Sequence, residues 1–130
     1  IFSTSLSPVL VAGILASVRH LKSSNVEREV HQERAKTLRT MLLDAGLPVM
    51  MCESHIVPVM VKDPVLCKQV ADDLLSDHNI YVQPINYPTV PRGTERLRFT
   101  PCPLHTDEMM ESLVHALDEV WTRRKIRRAA

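Results

Sequence analysis

Tyr81-Val-Gln-Pro-Ile-Asn-Tyr-Pro-Thr-Val-Pro-Arg-Gly-Thr-Glu-Arg-Leu-Arg-Phe-Thr-Pro-Cys-Pro103 holds most of the prolines in the chain and its tightest grouping of polar side chains. Runs of β-type residues flank its centre, Ile80 to Val82 before and Arg96 to Thr100 after. Between them Pro84, Pro88 and Pro91 fix φ and remove backbone donors, which predicts a stiffened loop joining two strands. In the second strand, alternation puts Leu97 and Phe99 on one face and Arg96, Arg98 and Thr100 on the other. Two guanidiniums on a polar face form a candidate anion site. Spacing alone equally fits two arginines solvated on an outer sheet face, and both readings stay open at this level.

Upstream, Ser7-Pro8 marks a helix start, with Ser7 as N-cap and Pro8 in the first turn. Val9, Leu10, Ile14, Val18 and Leu21 recur at helical spacing to about Lys22, which predicts a mostly buried helix. The hydroxyl-rich approach Ser3-Thr-Ser5 to a helix N-terminus suits a phosphate or carboxylate. Ser23-Ser-Asn25 then introduces a polar helix from about Val26 to Ala45, striped by Val30, Ala35, Leu38 and Leu42 and stopped by Gly46. Pro48 to Met51 reads as extended and Ile56 to Val61 as a strand, with Pro58 demanding an edge or a bulge. Asp63-Pro64 caps a helix running to about Ser76, and His78-Asn79 turns the chain into the opening stretch. Beyond that stretch, Thr106 opens a last helix carrying Met110, Leu113, Leu117, Val120 and Trp121. This order predicts an α/β fold (α+β, two-layer), its short, mainly antiparallel sheet covered by helices on one face. The other face, carrying Arg96 and Arg98, is then available to close against another domain.

Composition limits the function classes. A chain of 130 residues, 45% hydrophobic and 24% charged, suits a single domain with one modest core. A net charge of +1 gives no general reason to expect nucleic acid or an anionic membrane as partner. The basic cluster Arg123 to Arg128 is read as a solvated, fraying helix end. Cys52, Cys67 and Cys102 are unevenly spaced and odd in number, favouring a reducing compartment. No apolar run approaches the roughly 20 residues of a membrane-spanning helix, and no signal-peptide pattern opens the chain. The bare Ile1-Phe2 start points to processing or to a cut through a longer polypeptide. Two Cys-x-x-His pairs, Cys52 with His55 and Cys102 with His105, have zinc-compatible spacing, but no metal site is assigned. Without a nucleophile triad, a glycine-rich phosphate loop or paired carboxylates, an independent active site is not expected.

The opening stretch, together with Ile1-Phe-Ser-Thr-Ser-Leu6 and Ser54-His-Ile-Val-Pro58, resembles the C-terminal part of the 5-aminolevulinate synthases, and the likeness runs along nearly the whole chain. Related α-oxoamine synthases share the Pro-Thr-Val-Pro centre or close variants, whereas Ile85-Asn-Tyr87 and Arg92-Gly93 are particular to the aminolevulinate enzymes. The resemblance implies the small C-terminal domain of a fold-type I transferase dependent on pyridoxal 5'-phosphate. Such an acyltransferase condenses glycine with succinyl-CoA to 5-aminolevulinate, CoA and carbon dioxide in tetrapyrrole and haem biosynthesis, as a homodimer with shared active sites.

Residue by residue, the resemblance implies Arg98 as the ligand of the glycine carboxylate and Thr89 as the contact to the succinyl carboxylate. Arg96 is left as an arginine solvated on the outer sheet face. Ser3 and Thr4 match residues that reach the cofactor phosphate of the partner subunit. No catalytic residue is assigned, because the Schiff-base lysine lies upstream in that family and none of Lys22, Lys36, Lys62, Lys68 or Lys125 sits in its motif. The chain alone is therefore expected to be inactive. Residues 1–22 are expected to link from a large cofactor-binding domain and residues 23–130 to form the small domain. Ser7-Pro8 departs from the family's two prolines. The resemblance places a bacterial protein in the cytoplasm and a eukaryotic one in the mitochondrial matrix. Alternatives are a sister synthase, glycine C-acetyltransferase or 8-amino-7-oxononanoate synthase, and a non-catalytic anion-binding α/β module.

Overall fold

The structure is a computed structural model describing residues 5–128. Four helices and three strands follow in the order α1 (Pro8–Ser23), α2 (Val26–Asp44), β1 (Val57–Met60), α3 (Pro64–His78), β2 (Gln83–Ile85), β3 (Arg96–Phe99) and α4 (Asp107–Arg123). The sheet has the order β1-β3-β2 and is antiparallel throughout. Alternation along β1 and β3 turns Val57, Val59, Leu97 and Phe99 into a core shared with Leu38 and Leu42 of α2, Val70 and Leu74 of α3, and Leu117, Val120 and Trp121 of α4. The helices thus cover one face, and the cross-strand pairs Pro58 with Arg98 and Met60 with Arg96 lie on the other.

The caps follow the local chemistry where a side chain can reach. Asp63 accepts the Leu66 N–H at 2.7 Å and Thr106 the Met109 N–H at 3.3 Å, each satisfying a first-turn donor. Gly46, at φ +70°, ends α2 as the sequence predicts. Ser7 stands at the N-cap position of α1 but makes no side-chain cap bond, so Pro8 alone marks that start.

Three expectations need correction. The strand read at Ile80 to Val82 forms three residues later, as Gln83–Ile85. Asn79 takes the left-handed conformation at φ +57°, and the Ile80 N–H is spent on the Leu74 carbonyl, so these residues are still closing α3. Pro84 is admitted because β2 is an edge strand.

The second correction concerns α1, which buries no residue: Val9 is 80% exposed and Ile14 54%. Its described ties to the rest are at the junction with α2, where His20 Nε2 meets Glu27 Oε1 at 2.5 Å and Arg28 donates to the Leu21 carbonyl. Apolar spacing predicts an apolar helix but cannot say whether this chain supplies its cover. Third, the basic C-terminus is not a loose solvated end. Arg124 holds Asp73 with two bonds of 2.7 Å, Arg123 reaches Asp77, and Arg128 donates to the Ala45 carbonyl.

Candidate anion-binding site

Antiparallel pairing places Arg98 between Pro58 of β1 and Gln83 of β2, on the sheet face away from the helices. Its guanidinium is exposed and makes no hydrogen bond or ion pair among the described residues. A cavity of about 290 Å³ opens here, lined by Arg98, Arg96, Thr89, Ser54, Cys52 and their apolar neighbours Met50, Ile56, Pro58 and Ile85. No carboxylate is among the lining residues, and neither guanidinium makes an ion pair among the described residues. A larger cleft of about 610 Å³ also borders Arg98 and runs past Tyr81, Gln83 and His105.

Arg96 differs from its neighbour. Its Nε donates to the Thr94 carbonyl at 2.8 Å and its Nη1 contacts Met50 Sδ at 3.2 Å, leaving it half-buried and locally committed. It is neither simply solvated nor as free as Arg98 to take a ligand.

Thr89 rides on the loop from Asn86 to Glu95, one end of which is fastened to the first residue of α3 and the other to the segment just ahead of it. At the first end, Asn86 Nδ2 donates to the Pro64 carbonyl at 3.1 Å, and its own carbonyl accepts the Thr89 N–H at 2.9 Å. At the second, the Glu95 carbonyl accepts the N–H groups of Val61 and Lys62, both at 2.9 Å. The Glu95 side chain turns back to accept the Gly93 N–H at 2.9 Å, where φ is +80°, a conformation that favours glycine. Arg92 lies 4.7 Å over the Tyr87 ring, and the Tyr87–Pro88 peptide is cis. Thr89 itself stays exposed, with its hydroxyl free of any partner among the described residues.

The structure thus brings Arg98 and Thr89 to one cavity, with Arg96 beside them. Ser3 and Thr4 lie outside the described residues. Cys52 and Ser54 line the cavity, although the sequence marks Cys52 only for its zinc-compatible spacing and assigns Ser54 no role. The single hint was that Ser54 opens one of the stretches carrying the family resemblance. The two Cys-x-x-His pairs are locally engaged: Cys52 Sγ donates to the Ile56 carbonyl, and the Cys102 N–H donates to His105 Nδ1 at 3.0 Å. No group of three or more His, Cys, Asp or Glu that could hold a metal ion occurs among the described residues.

What the cavity can do follows from its donors. An exposed guanidinium with its fork unpaired binds a carboxylate bidentately, and a threonine hydroxyl beside it can donate to a second anionic oxygen. None of the five lysines lines it, so no amine that could anchor an aldehyde cofactor is present there.

Comparison with known proteins adds a second line. The aminotransferase class I and II family matches residues 1–117. The chain is 56% identical over 129 residues to a 5-aminolevulinate synthase of Rhizobium meliloti, covering 99% of this chain and 32% of that protein. It is 57% identical over 129 residues to 5-aminolevulinate synthase 1 of Cereibacter sphaeroides, with the same two shares. It therefore spans about a third of the length of these relatives. A solved structure of SPT with PLP superposes with a TM-score of 0.87 at 29% identity, over 98% of this chain and 32% of that one.

Proposed function

We propose, from the premise that this chain belongs to the aminotransferase class I and II family, that it is the small C-terminal domain of a pyridoxal-phosphate-dependent 5-aminolevulinate synthase. The observation that carries the reading is the unpaired Arg98 guanidinium sharing an acid-free cavity with Thr89. In this reading Arg98 grips the glycine carboxylate and orients the amino acid, while Thr89 donates its hydroxyl to the succinyl carboxylate of the acyl-CoA. The loop from Asn86 to Glu95 then covers the reacting groups and limits water access. Pyridoxal phosphate, when bound, supplies the electron sink for the carbon–carbon bond-forming step. The cavity fits the substrates' carboxylates; the lysine that anchors the cofactor belongs to other sequence, and Ser3 and Thr4 are proposed to reach the cofactor phosphate.

The reading also takes residues 1–22 as the link to a large cofactor-binding domain and residues 23–130 as the small domain, in a homodimer with shared active sites. The uncovered apolar side chains of α1 support it, because a helix of that composition needs a surface to pack on. No described helix is long and apolar enough to cross a membrane.

Two measurements test the proposal. The 130-residue chain mixed with pyridoxal phosphate, glycine and succinyl-CoA should form no aminolevulinate; product from the chain alone would overturn the division of labour. In the full-length enzyme, Arg98→Leu should raise the KM for glycine about tenfold or more, and an unchanged value would remove Arg98 from the carboxylate role. A panel of acyl-CoA substrates, with succinyl-CoA preferred, separates this activity from that of a sister synthase.

A further inference from the structure

Glu95 is the one charged side chain buried in the described core, with 0% of its surface exposed. One carboxylate oxygen, Oε2, accepts the Gly93 N–H at 2.9 Å; the other, Oε1, has no hydrogen-bond partner among the described residues. A buried acceptor left without a donor lowers stability, and a methionine or leucine there would avoid that cost. A group kept against the interest of stability calls for a role other than stability. Its position in the fold indicates which. Glu95 is the last residue before β3, the strand that carries Arg98, and the foot of the loop that carries Thr89. Its side chain holds the loop through Gly93, and its backbone carbonyl holds the Val61–Lys62 segment ahead of α3.

We propose that Glu95 is a positioning residue that sets the loop carrying Thr89 relative to the strand carrying Arg98, and so fixes the acyl-CoA carboxylate without touching it. This rests on the synthase reading above. The strand end of the site is held independently by β1 and β2 on either side of β3. Loss of the Glu95 carboxylate therefore frees the loop while leaving Arg98 in place. The two substrates separate accordingly: the acyl-CoA depends on Glu95 and glycine does not.

The test uses the full-length protein with Glu95→Ala, Glu95→Gln and Glu95→Asp, read by kinetics and by amide hydrogen exchange over residues 89–95. Glu95→Gln keeps an acceptor for the Gly93 N–H and should leave both KM values within about twofold of the parent. Glu95→Ala should raise the KM for succinyl-CoA about tenfold with the glycine KM within about twofold, and speed exchange at Gly93 about tenfold. Glu95→Asp, one methylene shorter, should follow Ala and takes its place if the alanine variant does not fold. Equal rises in both KM values, or unchanged exchange at Gly93, would overturn the proposal. If the full-length protein shows no synthase activity, the function proposed above fails instead. Glu95 is then judged on exchange alone, where faster Gly93 exchange in Ala and Asp with rescue by Gln upholds its hold on the loop.

Discussion

Arg96 and Arg98 stand two residues apart on the same strand face, yet their surroundings give them different work. Thr94 and Met50 engage Nε and Nη1 of Arg96, whereas Arg98 is paired across the sheet with Pro58, which has no polar side-chain group, and with Gln83, whose amide NH2 is turned to the Pro84 carbonyl. The alternation of β3 was enough to put both arginines on the open face. It could not separate them, because the groups that hold Arg96 come from a turn and from a residue 46 positions away. Glu95 was illegible for a related reason: nothing in Gly-Thr-Glu-Arg distinguishes a carboxylate folded inward onto its own loop from a solvated one. Cysteine chemistry is decided at the same scale. Cys67 is fully buried, and burial pushes its thiol up to about 11, with the carboxylates of Glu95 and Asp63 adding to the effect. Cys52 and Cys102 are half-buried in loops. A maleimide at neutral pH should therefore label Cys52 and Cys102 in the native chain and reach Cys67 only after denaturation, counted by mass spectrometry. Labelling of Cys67 in the native state would contradict this packing.

At the scale of elements, helix existence was readable from spacing, and caps were readable at Asp63 and Thr106 but not at Ser7, which precedes Pro8 without making a side-chain cap bond. The slip of β2 has a physical cause. Ile80, Tyr81 and Val82 have strand propensity, but the chain had first to satisfy the carbonyls at the end of α3. The α3–α4 contact was invisible to charge counting, since Asp73 and Arg124 are 51 residues apart. Arg124, and then Arg123, hold the Asp73 carboxyl below the usual carboxylate range. A carboxylate with a depressed folded-state pKa contributes stability that is present above its unfolded value, about 4, and lost as pH falls through the folded value. Asp73→Asn is accordingly expected to lower the thermal midpoint at pH 7 by a few degrees and to flatten its decline below about pH 4. Circular dichroism melts of both proteins from pH 7 to pH 2.5 check it; parallel curves would mean that the pair contributes nothing.

At the scale of the whole molecule, a two-layer fold with helices on one sheet face was legible because periods of 3.6 and 2 alternate cleanly along the chain. The strand order β1-β3-β2 was not, since no local signal says that the last strand inserts between the first two. Nor was the isolation of α1, whose pattern would read the same on any surface that covered it. Its exposure also bears on the colloidal behaviour of the 130-residue chain. A compact, nearly neutral head joined to an apolar rod has the build of a surfactant, with little charge repulsion to keep copies apart. Above a threshold concentration such molecules should gather rod to rod into clusters of limited size, so light scattering should rise with a sharp onset instead of in proportion to concentration. Glutamine at Val9, Ile14 and Val18 should abolish the onset while leaving the melting of the head unchanged.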